Sequence, residues 1–378
     1  MIIKNKEFQI FIKPVGASCN LSCRYCYYIN NGWLSGLSSG RMDEECLERY
    51  ISQHIEASPD KEIFFSWHGG EPTLAGIDFF RKVAEIQGKY RNNGYNILNG
   101  IQTNGTLVDD DWARFFSEEN FYVGISIDGD EELHNRFRTY RDGKPSFGKT
   151  IEGYKRLREY GVRTEILCVV NSRNARYPLR VYRYLKSLGT LFITFLPLVE
   201  KEPGQPGMVS DISVAADDFG RFLCEVFDEW IVKDIGEIKI QIIEEALRTS
   251  FGQEHSLCVF RKHCGGVPVV EYNGDFYSCD HFVNSDHLIG NINSVPLGRL
   301  LDDERQISFG RAKEITLPGY CRICEVLAMC NGECPRNRFI KTPLGEEGLN
   351  YLCSGYRLFF NHIRPFAEAV RTEWQQGR

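Results

Sequence analysis

The sequence predicts an α/β fold, a partial (β/α)6 barrel followed by a small cysteine-rich domain. Six apolar, strand-like runs alternate with helical patterns over the first two thirds of the chain. A group of three cysteines directly follows the first of these runs, and the last third is rich in glycine and cysteine. We therefore expect a barrel domain over residues 1–235 and a second domain over residues 236–378.

The strand-like segments are short apolar runs, and helical periodicity lies between them. Repeated βα units imply a parallel sheet with right-handed crossovers. Six units are fewer than the eight of a closed barrel, so we expect an open one with its site at the C-terminal ends of the strands. The predicted strands are 8–13, 62–67, 95–102, 121–127, 163–170 and 191–198. The predicted helices are 43–56, 77–90, 109–118, 148–160, 175–187, 214–233 and 236–251.

Composition and charge narrow the class of protein. The 378 residues are 42% apolar and 25% charged, as in ordinary globular proteins. A net charge of −6 argues against a nucleic-acid partner, which normally needs a basic face. The chain has no apolar run of the ~18 residues that a membrane span requires, and residues 1–7 lack the features of a signal peptide. We expect a cytoplasmic monomer without a membrane or nucleic-acid partner.

Fourteen cysteines are many for a cytoplasmic chain, where disulfides are disfavoured, and clusters of them indicate metal or redox chemistry. The first cluster has the spacing C-x3-C-x2-C and consists of Cys19, Cys23 and Cys26. A [4Fe–4S] cube takes four ligands, so three thiolates leave one iron open to a substrate or cofactor. Three isolated cysteines in apolar segments are expected to be small buried side chains: Cys46, Cys168 and Cys224.

Glycine and polar residues follow other predicted strands. Gly69 and Gly70 could let a ligand approach the backbone closely, although Gly-Gly turns are common. Ser126 and Asp128, at the end of the fourth strand, could bind polar groups of a ligand. Arg138 could pair with a carboxylate through its guanidinium fork. The alternative is that Asp128 belongs to a turn and that Arg138 is a surface charge.

The last third of the chain carries eight more cysteines, enough thiols to saturate two [4Fe–4S] cubes. Four of these cysteines lie close together in the sequence, with the spacing C-x2-C-x5-C-x3-C over residues 321–334. One or two zinc sites are the alternative, because C-x2-C pairs are common in zinc ribbons. Spacing alone does not exclude zinc, but an iron–sulfur site earlier in the chain favours iron.

These motifs together resemble the radical S-adenosylmethionine (SAM) enzymes that carry a SPASM extension, and in particular the anaerobic sulfatase-maturating enzymes. The resemblance covers nearly the whole chain. The Cys19–Cys26 loop has the family's spacing with an aromatic residue before the last cysteine. The other matching segments are 69–76 (GGEPTLAG), 102–107 (QTNGTL), 123–129 (VGISIDG) and 277–280 (YSCD).

The resemblance implies binding of SAM and of three [4Fe–4S] clusters. The cysteine loop would hold the cluster whose open iron chelates the amino and carboxylate groups of SAM. The residues implied in binding SAM are Gly69, Gly70, Glu71, Ser126, Asp128 and Arg138. The ligands implied for a first auxiliary cluster are Cys258, Cys264, Cys279 and Cys334. The ligands implied for a second are Cys321, Cys324, Cys330 and Cys353.

Three further residues match catalytic positions of the family. Asp280 occupies the place of the base that takes a proton from the substrate thiol or hydroxyl, although a lone loop aspartate is more often a turn residue. Tyr28 matches a tyrosine on the substrate side. His68 stands where a characterised branch has glutamine, which puts the substrate preference in doubt and not the reaction class. His68 could also be an ordinary hydrogen-bonded histidine at a strand end.

The implied reaction is oxidation of a Cys or Ser side chain in a sulfatase polypeptide to Cα-formylglycine. SAM is cleaved to methionine and 5′-deoxyadenosine, a hydrogen leaves Cβ, and an electron passes to an auxiliary cluster. The cofactors supply the difficult chemistry, and the protein positions the reacting carbon. An external one-electron reductant of flavodoxin or ferredoxin type is the implied redox partner.

Two other functions stay open on the sequence. A related SPASM enzyme could crosslink or cyclise a ribosomally made peptide, but such enzymes often carry an N-terminal peptide-recognition domain. Cys19 lies too near the start of the sequence for one, which favours the sulfatase maturase. A non-enzymatic iron–sulfur carrier or zinc-binding interaction protein would leave the βα units and the Gly69–Pro72 motif unexplained.

Overall fold

The computed structural model describes residues 8–30, 40–205 and 207–376. Residues 1–7, to which the expectation about a signal peptide refers, lie outside the described residues. No helix within the described ranges has the length and apolar character needed to cross a bilayer.

The described residues alternate between strands and helices, as predicted. The strands are β1 (Phe11–Lys13), β2 (Glu62–Trp67), β3 (Asn96–Thr103), β4 (Tyr122–Ser126), β5 (Arg163–Val170), β6 (Phe192–Pro197), β7 (Lys239–Ile240), β8 (Val269–Glu271), β9 (Asp275–Tyr277), β10 (Leu288–Asn291), β11 (Arg338–Ile340) and β12 (Leu349–Asn350). The helices are α1 (Tyr27–Asn30), α2 (Glu44–Ala57), α3 (Ile77–Arg91), α4 (Asp110–Glu118), α5 (Glu131–Asn135), α6 (Phe147–Glu159), α7 (Pro178–Ser187), α8 (Ala216–Lys233), α9 (Gln241–Ser250), α10 (Leu297–Leu301), α11 (Glu304–Ile315), α12 (Gly319–Arg322), α13 (Leu327–Cys330) and α14 (Cys353–Gln375).

The chain divides into two compact units. The first unit comprises Met1–Ser126, Asn135–Thr164 and Gly265–Gly310. Its strands follow the order β10-β9-β8-β1-β2-β3-β4. Strand β1 pairs in parallel with β2 on one side and with β8 on the other, so residues from distant parts of the sequence meet at its C-terminal end.

Buried aromatic side chains hold this first unit together. Trp67 at the end of β2 is fully buried and packs edge-on against Phe80 of α3, with ring centroids 5.4 Å apart. Its indole N–H donates to Asn99 Oδ1 of β3 at 2.9 Å, which satisfies the one polar atom of the ring. The loops that follow β1, β2 and β3 therefore start from a rigid edge of the sheet.

The second unit comprises Ile127–His134, Glu165–Cys264 and Arg311–Arg378. Its parallel strands follow the order β5-β6-β7. The prediction of a helix over 236–251 is wrong at its start, because Lys239–Ile240 forms strand β7 and helix α9 begins at Gln241. Ile238 and Ile240 are buried around an exposed Lys239, and this alternation is typical of a strand.

Helices α8 and α14 pack against each other within the second unit through a pair of glycines. A Cβ added at Gly220 would lie 2.7 Å from Gly355, and one added at Gly355 would lie 2.0 Å from Ala216 O. Any larger side chain would push the helices apart. Helix α14 begins at Cys353, so this contact fixes the position of a predicted cluster ligand.

Candidate active site

The first cysteine group lies in the loop between β1 and α1. Its shape is fixed by a backbone hydrogen bond from Cys26 N to Cys23 O of 2.9 Å, and Cys19 Sγ accepts a bond from Leu21 N at 3.4 Å. Burial, together with smaller contributions from Glu71 and the other two thiols, raises the pKa of the Cys19 thiol to about 12. The structure therefore brings the three predicted ligands into one electrostatically coupled group.

The Gly69-Gly70 pair packs directly against the cysteine loop. Gly70 N donates to Gly16 O at 2.9 Å, and a Cβ at residue 70 would lie 2.2 Å from Ser18 O. Gly69 has φ +116°, and its Cβ would lie 2.8 Å from Gly16 O. Both positions need glycine because another backbone segment approaches closely, as the sequence indicated. That segment belongs to the chain's own cysteine loop and not to a ligand.

Glu71 is fully buried and its carboxylate serves the protein. Oε1 accepts bonds from Thr73 Oγ1 at 2.6 Å and Thr103 Oγ1 at 2.7 Å, and Oε2 accepts one from Asn104 N at 2.7 Å. Asn104 in turn donates to Asn20 Oδ1 of the cysteine loop at 2.9 Å. Glu71 therefore braces the ends of β2 and β3 against the cysteine loop. Its predicted contact with a cofactor stays a prediction.

Asp280 lies in a cluster of buried polar side chains at the end of β1. Lys13 Nζ lies 2.6 Å from Asp280 Oδ1 and 3.1 Å from Glu271 Oε1. Tyr28 donates to Asp280 Oδ1 at 3.1 Å, and Tyr27 donates to Oδ2. The exposed fractions are 0% for the Lys13 side chain, 2% for Glu271 and 12% for Asp280, so the charges are largely removed from water.

Electrostatics decide the charge of this cluster. Burial favours the neutral carboxyl, but Lys13, His281 and the Tyr27 hydroxyl outweigh it and hold the pKa of Asp280 well below its usual range. Burial lowers the pKa of Lys13, and the two carboxylates reverse this, so its pKa is raised. Burial raises the pKa of Glu271 despite the nearby lysine. Lys13 and Asp280 therefore form an ion pair at neutral pH.

The sequence predicted Asp280 and Tyr28 but missed Lys13, Tyr27 and Glu271. Lys13 is the polar end of an apolar strand, at the edge of the sheet where a site was expected, and this was the available signal. Its partner Asp280 is 267 residues away in the sequence. Their proximity depends on the parallel pairing of β1 with β8.

His68 follows β2 and stacks on Phe11, with ring centroids 3.9 Å apart. Its backbone N–H donates to Ile12 O at 2.8 Å. Burial lowers the pKa of His68 to about 4, with opposing smaller effects of Asp280 and Lys13. The imidazole is therefore neutral at pH 7. One of its ring nitrogens is then a donor and the other an acceptor, and a glutamine amide likewise offers both.

The remaining predicted SAM-binding residues are also buried. Ser126 Oγ accepts a bond from Gln102 Nε2 at 3.1 Å. Asp128 Oδ1 accepts one from Val169 N at 2.9 Å, which ties the carboxylate to the backbone of β5. Arg138 is buried, and its guanidinium lies 5.4 Å from the centroid of the Tyr25 ring. The alternative that Arg138 is a surface charge is excluded by its burial, and the SAM-binding roles stay predictions.

Four of the C-terminal cysteines line one cavity in the second unit: Cys321, Cys324, Cys330 and Cys353. The rest of its lining consists of apolar residues together with Tyr320, Asn350 and Arg357. Burial raises the pKa of Cys330 to about 12 and of Cys353 to about 11, and neighbouring thiols add to both effects. These four residues are the ligand set that the resemblance implies for one auxiliary cluster.

A second group in the same unit contains Cys258, Cys264 and Cys334. Burial raises the pKa of Cys258 to about 11 and that of Cys334 still further, and in both cases the charge of Cys264 contributes. Cys279 lies in the first unit, two residues after β9, where its carbonyl accepts a bond from Phe282 N at 3.0 Å.

The donor sets match iron–sulfur chemistry. Thiolates are the usual ligands of a [4Fe–4S] cube, and four of them line the cavity of the second unit. The three thiols of the first loop match a cube with one open iron. Among the described residues, no three His, Cys, Asp or Glu side chains are arranged as ligands of a single metal ion.

Two protein families match the sequence. The Radical SAM superfamily matches residues 14–185, and an iron–sulfur cluster-binding domain of the SPASM type matches residues 258–325. These matches confirm the predicted combination of an α/β domain with a cysteine-rich extension.

Sulfatase maturases are among the relatives of the whole chain. A serine-type anaerobic sulfatase-maturating enzyme of Bacteroides thetaiotaomicron is 42% identical over 97% of this chain and 92% of its own. A cysteine-type enzyme of Clostridium perfringens is 33% identical over 94% of this chain and 96% of its own. A solved structure described as native anSMEcpe with bound AdoMet and Cp18Cys peptide superposes with a TM-score of 0.87. It is 32% identical and covers 97% of this chain and 99% of that one.

Proposed function

This chain belongs to the anaerobic sulfatase-maturating enzymes of the radical SAM superfamily, and from that premise we propose that it oxidises a Cys or Ser side chain of a sulfatase polypeptide to Cα-formylglycine. The observation that carries this proposal is the Asp280 carboxylate, which is held ionised by Lys13 and bonded to two tyrosines. This carboxylate suits the acceptance of a proton from a substrate thiol or hydroxyl.

The proposed cofactors are SAM and three [4Fe–4S] clusters, held by the ligand sets named above. When bound, they supply a radical that removes hydrogen from Cβ and an acceptor for the electron that leaves the substrate. The chain's own part is to hold the substrate carbon in place and to keep water out. The Glu71 brace and the Gly69-Gly70 contact fix the cysteine loop for this purpose.

Asp280 forms an ion pair with Lys13 and accepts hydrogen bonds from the hydroxyls of Tyr27 and Tyr28. A carboxylate offers about four acceptor sites, and we propose that a substrate S–H or O–H donates to one that these side chains do not use. Because the pKa of Asp280 is held low, proton transfer follows hydrogen removal from Cβ, when oxidation has made the S–H or O–H far more acidic.

His68 and Tyr28 complete the proposed substrate side. Tyr28 orients Asp280 through its hydroxyl, and Lys13 lies 4.5 Å from the centroid of its ring. His68 offers a neutral hydrogen-bonding ring on the same strand edge. The serine-type relative is the more similar of the two described, which favours a serine peptide as the first substrate to test.

The decisive experiment is anaerobic. The reconstituted, reduced protein is incubated with SAM and with two sulfatase-motif peptides that differ only in Cys or Ser at the reacting position. Oxidation to formylglycine lowers the mass by about 18 Da from Cys and by about 2 Da from Ser. We expect one or both shifts, with equimolar 5′-deoxyadenosine.

Variants assign the base. Asp280→Asn should form 5′-deoxyadenosine but at least about 100-fold less oxidised peptide, as expected for loss of a general base. Asp286→Asn, an exposed aspartate of the same segment, should match the parent protein. Oxidation of the peptide at the full rate by Asp280→Asn would reject the assigned base. If 5′-deoxyadenosine forms and neither peptide changes, a crosslinking or cyclising activity on another peptide replaces the proposal.

The remaining parts of the proposal concern organisation. We propose functional domains over 1–235 and 236–378, a monomeric protein of the cytoplasm, and a flavodoxin or ferredoxin as electron donor. Three cubes require about 12 iron atoms per chain, and a chemical iron assay tests this number. Light scattering on the reconstituted protein tests the monomer.

A further inference from the structure

The segment Cys330–Cys334 carries one predicted ligand of each auxiliary cluster at its two ends. The residues between them are in the left-handed region, with φ of 45° at Asn331, 70° at Gly332 and 50° at Glu333. For a residue other than glycine this conformation costs about 1–2 kcal/mol. The two non-glycine residues on either side of Gly332 keep this conformation because the surroundings hold them.

Arg338 binds the backbone carbonyls of this segment. Its guanidinium donates to Asn331 O at 2.8 Å and to Glu333 O at 3.2 Å, and Nε donates to Gly332 O at 2.8 Å. A fourth bond runs to Lys313 O at 2.6 Å. The left-handed turn therefore directs three successive carbonyls at one cation.

The same cation lies beside thiols of both sets. It is bonded to the three residues that separate Cys330, of the set predicted for the second auxiliary cluster, from Cys334, of the set predicted for the first. Gly332, whose carbonyl it binds, also lines the cavity of the second set. An arginine stays charged even when buried, so the positive charge here is permanent.

We propose that Arg338 is a positioning residue shared by the two auxiliary clusters, which fixes the Cys330–Cys334 segment and raises the reduction potential of both clusters with its charge. This inference rests on the part of the proposed function that assigns two clusters to these thiols. A positive charge stabilises the reduced, more negative state of a cluster, so its removal makes reduction harder.

The experiment measures potentials and not turnover. In a background with Cys19, Cys23 and Cys26 changed to Ala, the full-length chain should bind the auxiliary clusters alone. An iron assay comes first, and about eight iron atoms per chain are expected. Absence of this iron in the background protein would reject the cluster assignment itself, which separates that failure from failure of the role of Arg338.

Redox titration followed by electron paramagnetic resonance then compares three substitutions. Arg338→Met should shift both potentials to more negative values. Arg338→Lys keeps the positive charge, so its two reduction potentials should stay nearer to those of the background protein. Lys341→Met removes an exposed cation paired with Glu347 and should leave both potentials unchanged.

Each outcome bears on the proposal. Unchanged potentials in Arg338→Met, or a shift of one cluster alone, would overturn the shared role. Arg338→Met could also fail to bind iron. Loss of iron from both cluster sites, with iron binding restored in Arg338→Lys, would support the proposal. Loss of iron from one site alone would overturn it. An Arg338→Lys protein that behaves like Arg338→Met would reject the effect of charge.

Discussion

Lys13 Nζ lies 2.6 Å from Asp280 Oδ1, and the lysine side chain has no exposed surface. Glu271 is the second carboxylate on the same ammonium group. Removal of one member of a buried ion pair costs more than the pair contributes, because the remaining charge stays out of water without a partner. Lys13 thus stabilises the very carboxylate on which the proposed chemistry depends.

Lys13→Met should lower the free energy of unfolding by about 3–5 kcal/mol, because two buried carboxylates lose their cation. Urea unfolding of the apoprotein measures the effect. Lys149→Met, which removes an exposed lysine paired with Glu152, should change it by less than about 1 kcal/mol. Equal effects of the two substitutions would contradict a charged Lys13–Asp280 pair.

The same substitution should also alter the pH dependence of peptide oxidation. Lys13 lowers the pKa of Asp280, so its removal raises that pKa and protonates the carboxylate at higher pH. Peptide oxidation by Lys13→Met should therefore fall at a higher pH than oxidation by the parent protein as the pH is lowered. Parallel profiles of the two proteins from pH 5 to 8 would count against Asp280 as the titrating base.

Tyr27→Phe should destabilise the protein by about 1.5–3 kcal/mol, the usual contribution of a hydrogen bond to a charged group. The Tyr27 hydroxyl donates to Asp280 Oδ2 in a buried setting, so its loss leaves an acceptor without a donor. Urea unfolding is again the measurement. Tyr95→Phe, at a half-buried ring near Lys61, is the matched control and should stay within about 0.5 kcal/mol.

Gly70→Ala should displace the cysteine loop, because its Cβ would meet Ser18 O at 2.2 Å. We expect loss of about a third of the bound iron, the share of one cube in three. Gly88→Ala is the control, since a Cβ there meets nothing within 4 Å and alanine favours the helix. Full iron content in Gly70→Ala would show that the loop tolerates the displacement.

His54 should make stability depend on pH. Burial lowers its pKa to about 3, from the ordinary value of about 6.5 in the unfolded chain. Between these values the unfolded state binds the extra proton, so stability is complete above pH 6.5 and falls as the pH decreases. The slope is at most about 1.4 kcal/mol per pH unit.

Urea unfolding of the parent protein at pH 5 and pH 7 gives the size of this difference. His54→Leu removes the titrating ring, although it also removes the 3.0 Å contact with Tyr50 Oη. The variant should be less stable at pH 7 but should lose less stability between pH 7 and pH 5. An unchanged difference between the two pH values would assign the titration to other groups.

The alternation of strands and helices could be predicted because each element carries its own periodicity. Strand β2 has the predicted bounds, and so does β5. Strand β7 was missed because two residues carry too little of the period-2 pattern to outweigh the helical pattern that follows. The cysteine groups were found by spacing, which is a local property of the chain.

The partners within the site were harder to predict. Glu71 was predicted to bind SAM, yet its carboxylate oxygens accept hydrogen bonds from Thr73, Thr103 and Asn104. Nothing in the neighbouring sequence indicates these protein partners. Tyr27 and Tyr28 are neighbours, and the fold alone shows that both hydroxyls reach Asp280. Contacts of this kind depend on which distant strands pair with each other. The periodicity of a single strand does not indicate its partner.

The glycine contact between α8 and α14 gives the protein a built-in optical reporter. Cys353 stands at the first residue of α14, and Gly220 and Gly355 set how closely that helix docks. With the proposed clusters bound, the cube held by Cys353 would absorb visible light and would bleach on losing this thiolate. The part of the brown colour that belongs to this cube would therefore report local opening at the start of α14 during slow heating.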